Sequence, residues 1–127
     1  MKLLLDTHAL VWWFNDPDKL SSKASKLLTS SGNSILVSAA VAWELAIKVN
    51  LCKIDALPLV TDLGTHVAEE GFTELPITIT QAVRAGLLPR HHRDPFDRLL
   101  VAQAQDLNLP ILSADRILDH YDIQRIW

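Results

Sequence analysis

The chain has 127 residues, one cysteine, and 12 basic against 15 acidic side chains for a net charge of −3. That size fits one domain spanning residues 1–127 with a core of its own, and 49% hydrophobic against 21% charged residues excludes a disordered chain. One cysteine excludes a disulfide framework and a zinc site of several thiolates, and the mild negative charge excludes coating of nucleic acid by bulk attraction, so a polyanionic partner would need a local basic patch or bound cations.

In chain order, Lys2–Leu5 reads as a short buried strand that stops at Asp6. Its apolar run is too short for the core of a signal peptide. No window approaches the ~20 apolar residues that span a bilayer, so a soluble cytoplasmic protein without membrane contact is expected. Thr7–Phe14 is helix-like and Asn15-Asp16-Pro17-Asp18 stops it. Ser21 or Ser22 caps a second helix carrying Ala24, Leu27 and Leu28, ended by Ser31-Gly32-Asn33. Ile35-Leu36-Val37 is a second buried strand. Ser38 caps a third helix, Ala39 to about Asn50, with Val41, Leu45 and Val49 on one face. Cys52 follows it beside Leu51 and Ile54 and reads as a small buried hydrophobe. Pro58 opens a fourth helix running to Gly71. Glu74–Ile77 is a weak strand, and Thr80 caps a short helix ending near Leu87. Pro95 starts a helix that continues through Leu107. Pro110-Ile111-Leu112 and Ile123–Ile126 are the last strands.

Short apolar strands alternating with helices predict an α/β domain with a mostly parallel sheet, its right-handed crossovers placing helices on both faces. In such sheets ligands collect beyond the carboxyl ends of the strands. Asp6 follows strand one directly, and Asp115 falls three residues after Leu112. Glu44 lies about one and a half turns into the helix that leaves strand two. Asp94 and Asp97 flank Pro95 at the start of another helix. Each acid also has a local reading. Asp94 before Pro95 matches a helix N-cap, Asp97 complements the helix dipole, and Asp6 and Asp115 suit caps of their own turns. Glu44, between Trp43 and Leu45 in an apolar helix, is the hardest to explain locally. As a set the acids would repel by roughly 4 kcal/mol per close pair at an effective dielectric near 20. Protons or a cation would have to neutralise them. An oxygen-only donor set suits hard divalent ions, Mg²⁺ or Mn²⁺, and two such ions can activate water and stabilise the leaving oxygen of a phosphodiester.

Leu3-Leu4-Leu5-Asp6-Thr7-His8, Val41-Ala42-Trp43-Glu44-Leu45-Ala46, Arg93-Asp94-Pro95-Phe96-Asp97-Arg98-Leu99-Leu100-Val101-Ala102 and Ile111-Leu112-Ser113-Ala114-Asp115, in that order, resemble the PIN-domain ribonucleases. Within them, a stand-alone domain of this length is similar to the VapC-type toxins of toxin–antitoxin pairs. The resemblance implies a PIN-like three-layer α/β/α domain with a central mostly parallel sheet, and metal-dependent cleavage of RNA. It matches Asp6, Glu44, Asp97 and Asp115 to the family's acidic quartet and adds Asp94 as a further acid. Ser113 matches a small hydroxyl residue near the quartet that orients a carboxylate or water, and it is placed on the substrate side of the site. The expected arrangement has Asp6 and Asp97 on the principal ion, with Glu44 and Asp115 completing the site directly or through water. The attacking water would then pass its proton to Glu44. The resemblance also implies homodimerisation and a small antitoxin whose C-terminal segment covers the groove and carries a basic residue into the acids.

Other residues leave alternatives open. Arg90, Arg93, Arg98 and Arg116 either grip RNA phosphates or form a solvated charged loop, with Arg98 equally suited to pairing an aspartate. Adjacent His91 and His92 are poorly placed to share a metal and suit a phosphate-contact loop. Trp12-Trp13-Phe14 sweep about 200° of a helix, so the core takes two of them. The remaining ring, or Trp43, is then free for a partner. The rivals are non-catalytic or regulatory α/β modules binding Mg²⁺ or RNA. A receiver-like domain would pair acids after strand one and carry a late lysine, but Asp6 stands alone and no lysine follows Lys53. A haloacid-type phosphatase would carry Asp-x-Asp, where this chain has His8.

Overall fold

The protein is described by a computed structural model of residues 1–127. In chain order the elements are β1 (Lys2–Leu5), α1 (Thr7–Asn15), a 3-10 turn at Pro17–Lys19, α2 (Ser22–Thr29), β2 (Ser34–Ser38), α3 (Ala39–Asn50), α4 (Leu57–Thr61), α5 (Leu63–Glu69) and β3 (Thr73–Leu75). They continue with α6 (Ile79–Leu87), α7 (Pro95–Leu107), β4 (Ile111–Leu112), a second 3-10 turn at Arg116–His120, and β5 (Arg125–Ile126). The sheet has the order β3-β2-β1-β4-β5 and every pairing is parallel. This is the expected three-layer α/β/α architecture. Leu3, Leu4 and Leu5 are all fully buried, so the central strand is covered on both faces, as parallel sheets require. Ala9 and Leu10 of α1, Val41 of α3, and Leu100, Val101 and Ala104 of α7 join them in one apolar core. Each fully buried leucine contributes about 1.5–3 kcal/mol over its exposed state.

Register places the polar ends of the strands. Leu5 pairs with Leu112, so the next residues, Asp6 and Ser113, emerge abreast. Strand order reverses at β1 and β4, where a doubly wound sheet opens its ligand crevice. A buried polar chain braces the other side of β1. Ser38 Oγ accepts from Ala40 N at 3.0 Å and donates to Gln103 Oε1 at 2.6 Å. Gln103 Nε2 donates to Pro76 O and Gln81 Oε1, both at 3.1 Å, and Gln81 Nε2 donates to Asp106 Oδ2 at 3.0 Å.

Four sequence expectations need correction. The helix opened at Pro58 is two helices, because the chain breaks at Asp62 (φ −137°, ψ 46°), whose carboxylate accepts from Thr65 Oγ1. The weak strand stops at Leu75 because Pro76 has no N–H to continue the ladder. Thr78, not Thr80, caps α6: Thr78 Oγ1 accepts from Gln81 N and Gln81 Oε1 accepts from Thr78 N, a reciprocal capping box. Cys52 is exposed rather than buried, since it occupies a left-handed turn (φ 57°) where the chain leaves α3. No helix is long and apolar enough to cross a membrane.

Candidate active site

Asp6 is the N-cap of α1. Its Oδ1 accepts from Ala9 N at 2.8 Å and its Oδ2 accepts from Ser113 Oγ, the residue that register sets beside it. Only 5% of Asp6 is exposed. Burial pushes its carboxyl above the usual carboxylate range, against the opposing pull of Ser113, Ala9 and His8. Ser113 is fully buried and also accepts from Asp115 N at 3.0 Å. It therefore orients Asp6 and the following turn, and the expectation that it meets substrate does not hold.

Glu44 is reached through α3, which Ser38 caps and which places the carboxylate facing inward with 2% exposure. Thr7 Oγ1 donates to its Oε1, and Lys48, one turn on, pairs with its Oε2. Burial works against charge on Lys48. Glu44 more than offsets this, with Asp94 and Asp97 beyond it, and holds the ammonium above its ordinary pKa. Neither Thr7 nor Lys48 was singled out from sequence, although Glu44 and Lys48 have the i,i+4 spacing that pairs charges on a helix.

Asp94 and Asp97 share the first turn of α7. Asp94 is the N-cap, accepting from Phe96 N at 2.9 Å ahead of Pro95. Asp97 points back into the acids. Its carboxyl is pushed up to about 8 by burial first, then by Asp94, Glu44, Asp6 and Asp115. Asp115 caps the second 3-10 turn, accepting from Ile117 N at 3.0 Å through Oδ1. Its Oδ2 lies 2.9 Å from His92 Nε2, which is also 3.0 Å from Asp97 Oδ2. The fold thus gathers all five predicted acids at the carboxyl ends of β1 and β4, the second turn of α3 and the start of α7.

The two histidines part company. His92 turns into the carboxylates, while His91 stacks on His120 and meets Tyr121 edge-on. A phosphate-contact loop built on the pair is not what forms. Arg98 pairs with no aspartate, and its buried Nε has no partner. Arg90, Arg93, Pro95 and Arg98 line a depression of about 700 Å³, and Arg116 is exposed beside Asp115. Trp12, Trp13 and Phe14 all pack half-buried against the core, where two of the three were expected, and each keeps part of its surface exposed. Trp43, by contrast, is 61% exposed and stands edge-on to Phe96.

The donor chemistry fits a hard divalent cation. Ligand-capable atoms of Glu44, Asp94 and Asp97 lie within 4.8 Å of one another, as do those of His92, Asp97 and Asp115. Asp97 belongs to both groups. Burial first, and then the neighbouring carboxylates, disfavour its charged form, which an added cation would relieve. Nearly all donors are oxygens, the preference of Mg²⁺ and Mn²⁺.

The profile of the PIN domain matches residues 3–124. The chain is 34% identical over 122 residues to Ribonuclease VapC22 of Mycobacterium tuberculosis, covering 91% of this chain and 88% of that protein. Its fold is similar to that in the crystal structure of VapBC2 from Rickettsia felis bound to a DNA fragment from their promoter, with TM-score 0.72, 15% identity, and 100% and 99% of the two chains covered. It is also similar to VapC20 of Mycobacterium tuberculosis, a Sarcin-Ricin loop cleaving toxin, with TM-score 0.69, 15% identity and 93% of each chain covered.

Proposed function

Because the chain belongs to the PIN-domain family, we propose that it is a Mg²⁺- or Mn²⁺-dependent endoribonuclease, the cytoplasmic toxin of a toxin–antitoxin pair. The observation that carries this reading is Asp97, a carboxylate shared by two groups of ligand atoms and pushed up to about 8 by burial and by its acidic neighbours. Asp6, Glu44, Asp94, Asp97 and Asp115 would hold the cation. When bound, it supplies neutralisation of the acids and of the phosphate, and it acidifies and orients a water.

The protein's own groups do the rest. Glu44 would accept the proton of the attacking water, its two oxygens already oriented by Thr7 and Lys48. Thr7 and Lys48 fix the orientation of that carboxylate, as positioned bases require. Ser113 and Ala9 hold Asp6 in one rotamer. RNA phosphates lie along Arg90, Arg93 and Arg98, with the exposed Arg116, next to Asp115 in the chain, as a further contact. The three arginines lining one depression support this path, since guanidinium groups bind phosphate oxygens.

A partner chain fits the exposed apolar surface beside the site. Trp43, Phe96, Ala82, Ala85, Pro95 and Leu99 line a cleft of about 260 Å³. Ile79, Val83 and Leu87 present an exposed stripe at helical spacing on α6. We assign the Trp43 cleft to an antitoxin segment that carries a cation into the acids, and homodimerisation to the wider apolar surface. The solved toxin–antitoxin assemblies of similar fold support a protein partner.

Purified protein should cut cellular RNA with Mg²⁺ or Mn²⁺, and lose that activity in excess chelator and in Asp6→Asn. Cleavage that survives chelator or Asp6→Asn contradicts the proposal.

A further inference from the structure

We propose that His92 is a positioning residue whose ring, held as the Nε2–H tautomer, sets the Asp115 carboxylate beside Asp97. The proposal rests on the cation-dependent reading of the acids, which gives the spacing of Asp97 and Asp115 its consequence.

The ring's proton can be placed from its contacts. Asp94 N donates to His92 Nδ1 at 3.1 Å, so Nδ1 is an acceptor and carries no hydrogen. The neutral ring's only N–H is then at Nε2, 2.9 Å from Asp115 Oδ2 and 3.0 Å from Asp97 Oδ2. The backbone is fixed as well. His92 N donates to Tyr121 Oη at 2.9 Å, and the Tyr121 hydroxyl donates to Pro89 O at 2.8 Å. With a side chain 14% exposed, the ring has one position and one tautomer. Asp97 belongs to α7 and Asp115 to the turn after β4, so no ladder register sets their separation. Asp115 is held at its N–H by Ser113 Oγ and at Oδ1 by Ile117 N, and the imidazole N–H is the group that links its Oδ2 to Asp97.

The same geometry argues against the ring as a metal ligand. Ligation through Nε2 would move the proton to Nδ1, where it would face the Asp94 N–H, donor against donor. The cation would therefore take carboxylate oxygens, with the His92 N–H as an orienting donor to Asp115 and Asp97. Removing such an orienting partner weakens metal binding by about 10–100-fold.

Calorimetric Mn²⁺ titration of the full chain should show that loss in His92→Ala. His92→Gln, whose amide N–H replaces the Nε2 donor, should bind within about threefold of the unaltered protein if one N–H suffices. Nitrogen-15 spectra of histidine-labelled protein should show His92 with a bare Nδ1 and a protonated Nε2, with and without Mg²⁺. Spin-echo spectra of bound Mn²⁺ should lack a directly coordinated nitrogen. Unchanged Mn²⁺ affinity in a folded His92→Ala overturns the proposal, as does a Nδ1–H tautomer or a nitrogen-coupled Mn²⁺. The tautomer is read on unaltered protein, so an unfolded variant does not rescue the idea. None of these readouts uses RNA. Failure of cleavage with the His92 results intact would sink the nuclease reading alone, and metal-dependent cleavage with unchanged His92→Ala affinity would sink this proposal alone.

Discussion

At the residue scale, the acids gathered in this site perform two tasks at once. Asp6, Asp94 and Asp115 each cap a helix or turn with one carboxylate oxygen, so their local reading from sequence is correct and incomplete. Asp97 caps nothing, and it carries the site's electrostatic cost. The folded protein keeps a proton on Asp97 to about pH 8, whereas the unfolded chain releases it near 3.8. Between those values the folded state binds more protons than the unfolded state, so this group's effect on stability worsens as pH rises through the window. A displacement of that size is on the order of a few kcal/mol. In chelating buffer, Asp97→Asn should melt higher than the unaltered chain, with the gap widening from pH 5 to pH 8. A gap that does not change with pH contradicts this account of Asp97. The inward role of His92, read from sequence as part of a phosphate-contact loop, was not legible because it comes from contacts across elements, whereas the Glu44–Lys48 spacing on one helix is a signal that could have found Lys48.

Elements whose boundaries rest on short-range chemistry were legible. β1, α3 and α7 follow from an apolar run, a serine cap and an Asp-Pro start, respectively, and each lies where those signals put it. The α4–α5 break was not legible, because Leu59, Leu63 and Val67 keep helical spacing through it. Only the Asp62 backbone departs from the helix. The Ser38–Gln103–Gln81 chain was equally invisible, since its members are 65 and 22 residues apart. It ties β2, α6 and α7 together in a dry setting, with Gln103 fully buried. Gln103→Leu strands the Ser38 hydroxyl and the Pro76 carbonyl, at about 1–3 kcal/mol for each unsatisfied group. The urea midpoint should fall accordingly. An unchanged midpoint would mean that this network adds nothing to stability.

For the whole molecule, topology converts a scattered sequence pattern into a site. Asp6 and Asp115 are 109 positions apart in number, yet Ser113 touches both because Leu5 pairs with Leu112. The same layout leaves Trp43 exposed at the rim, beside the acids rather than in the core. Trp43→Ala should change stability by less than about 1 kcal/mol and weaken the cognate antitoxin by about 2 kcal/mol or more. Melting curves and a binding titration separate the two effects, and unchanged antitoxin affinity would place the partner elsewhere. The claim on which the account turns is that folding makes Asp97 the shared carboxylate of a divalent-ion site. Equilibrium titration of Mn²⁺ into the unaltered chain and Asp97→Asn at pH 8, about the value to which the Asp97 carboxyl is pushed, tests it most directly. The account predicts saturable binding by the first and a loss of about 100-fold or more in the second. Equal affinity in the two proteins, or no binding by the unaltered chain, would contradict it.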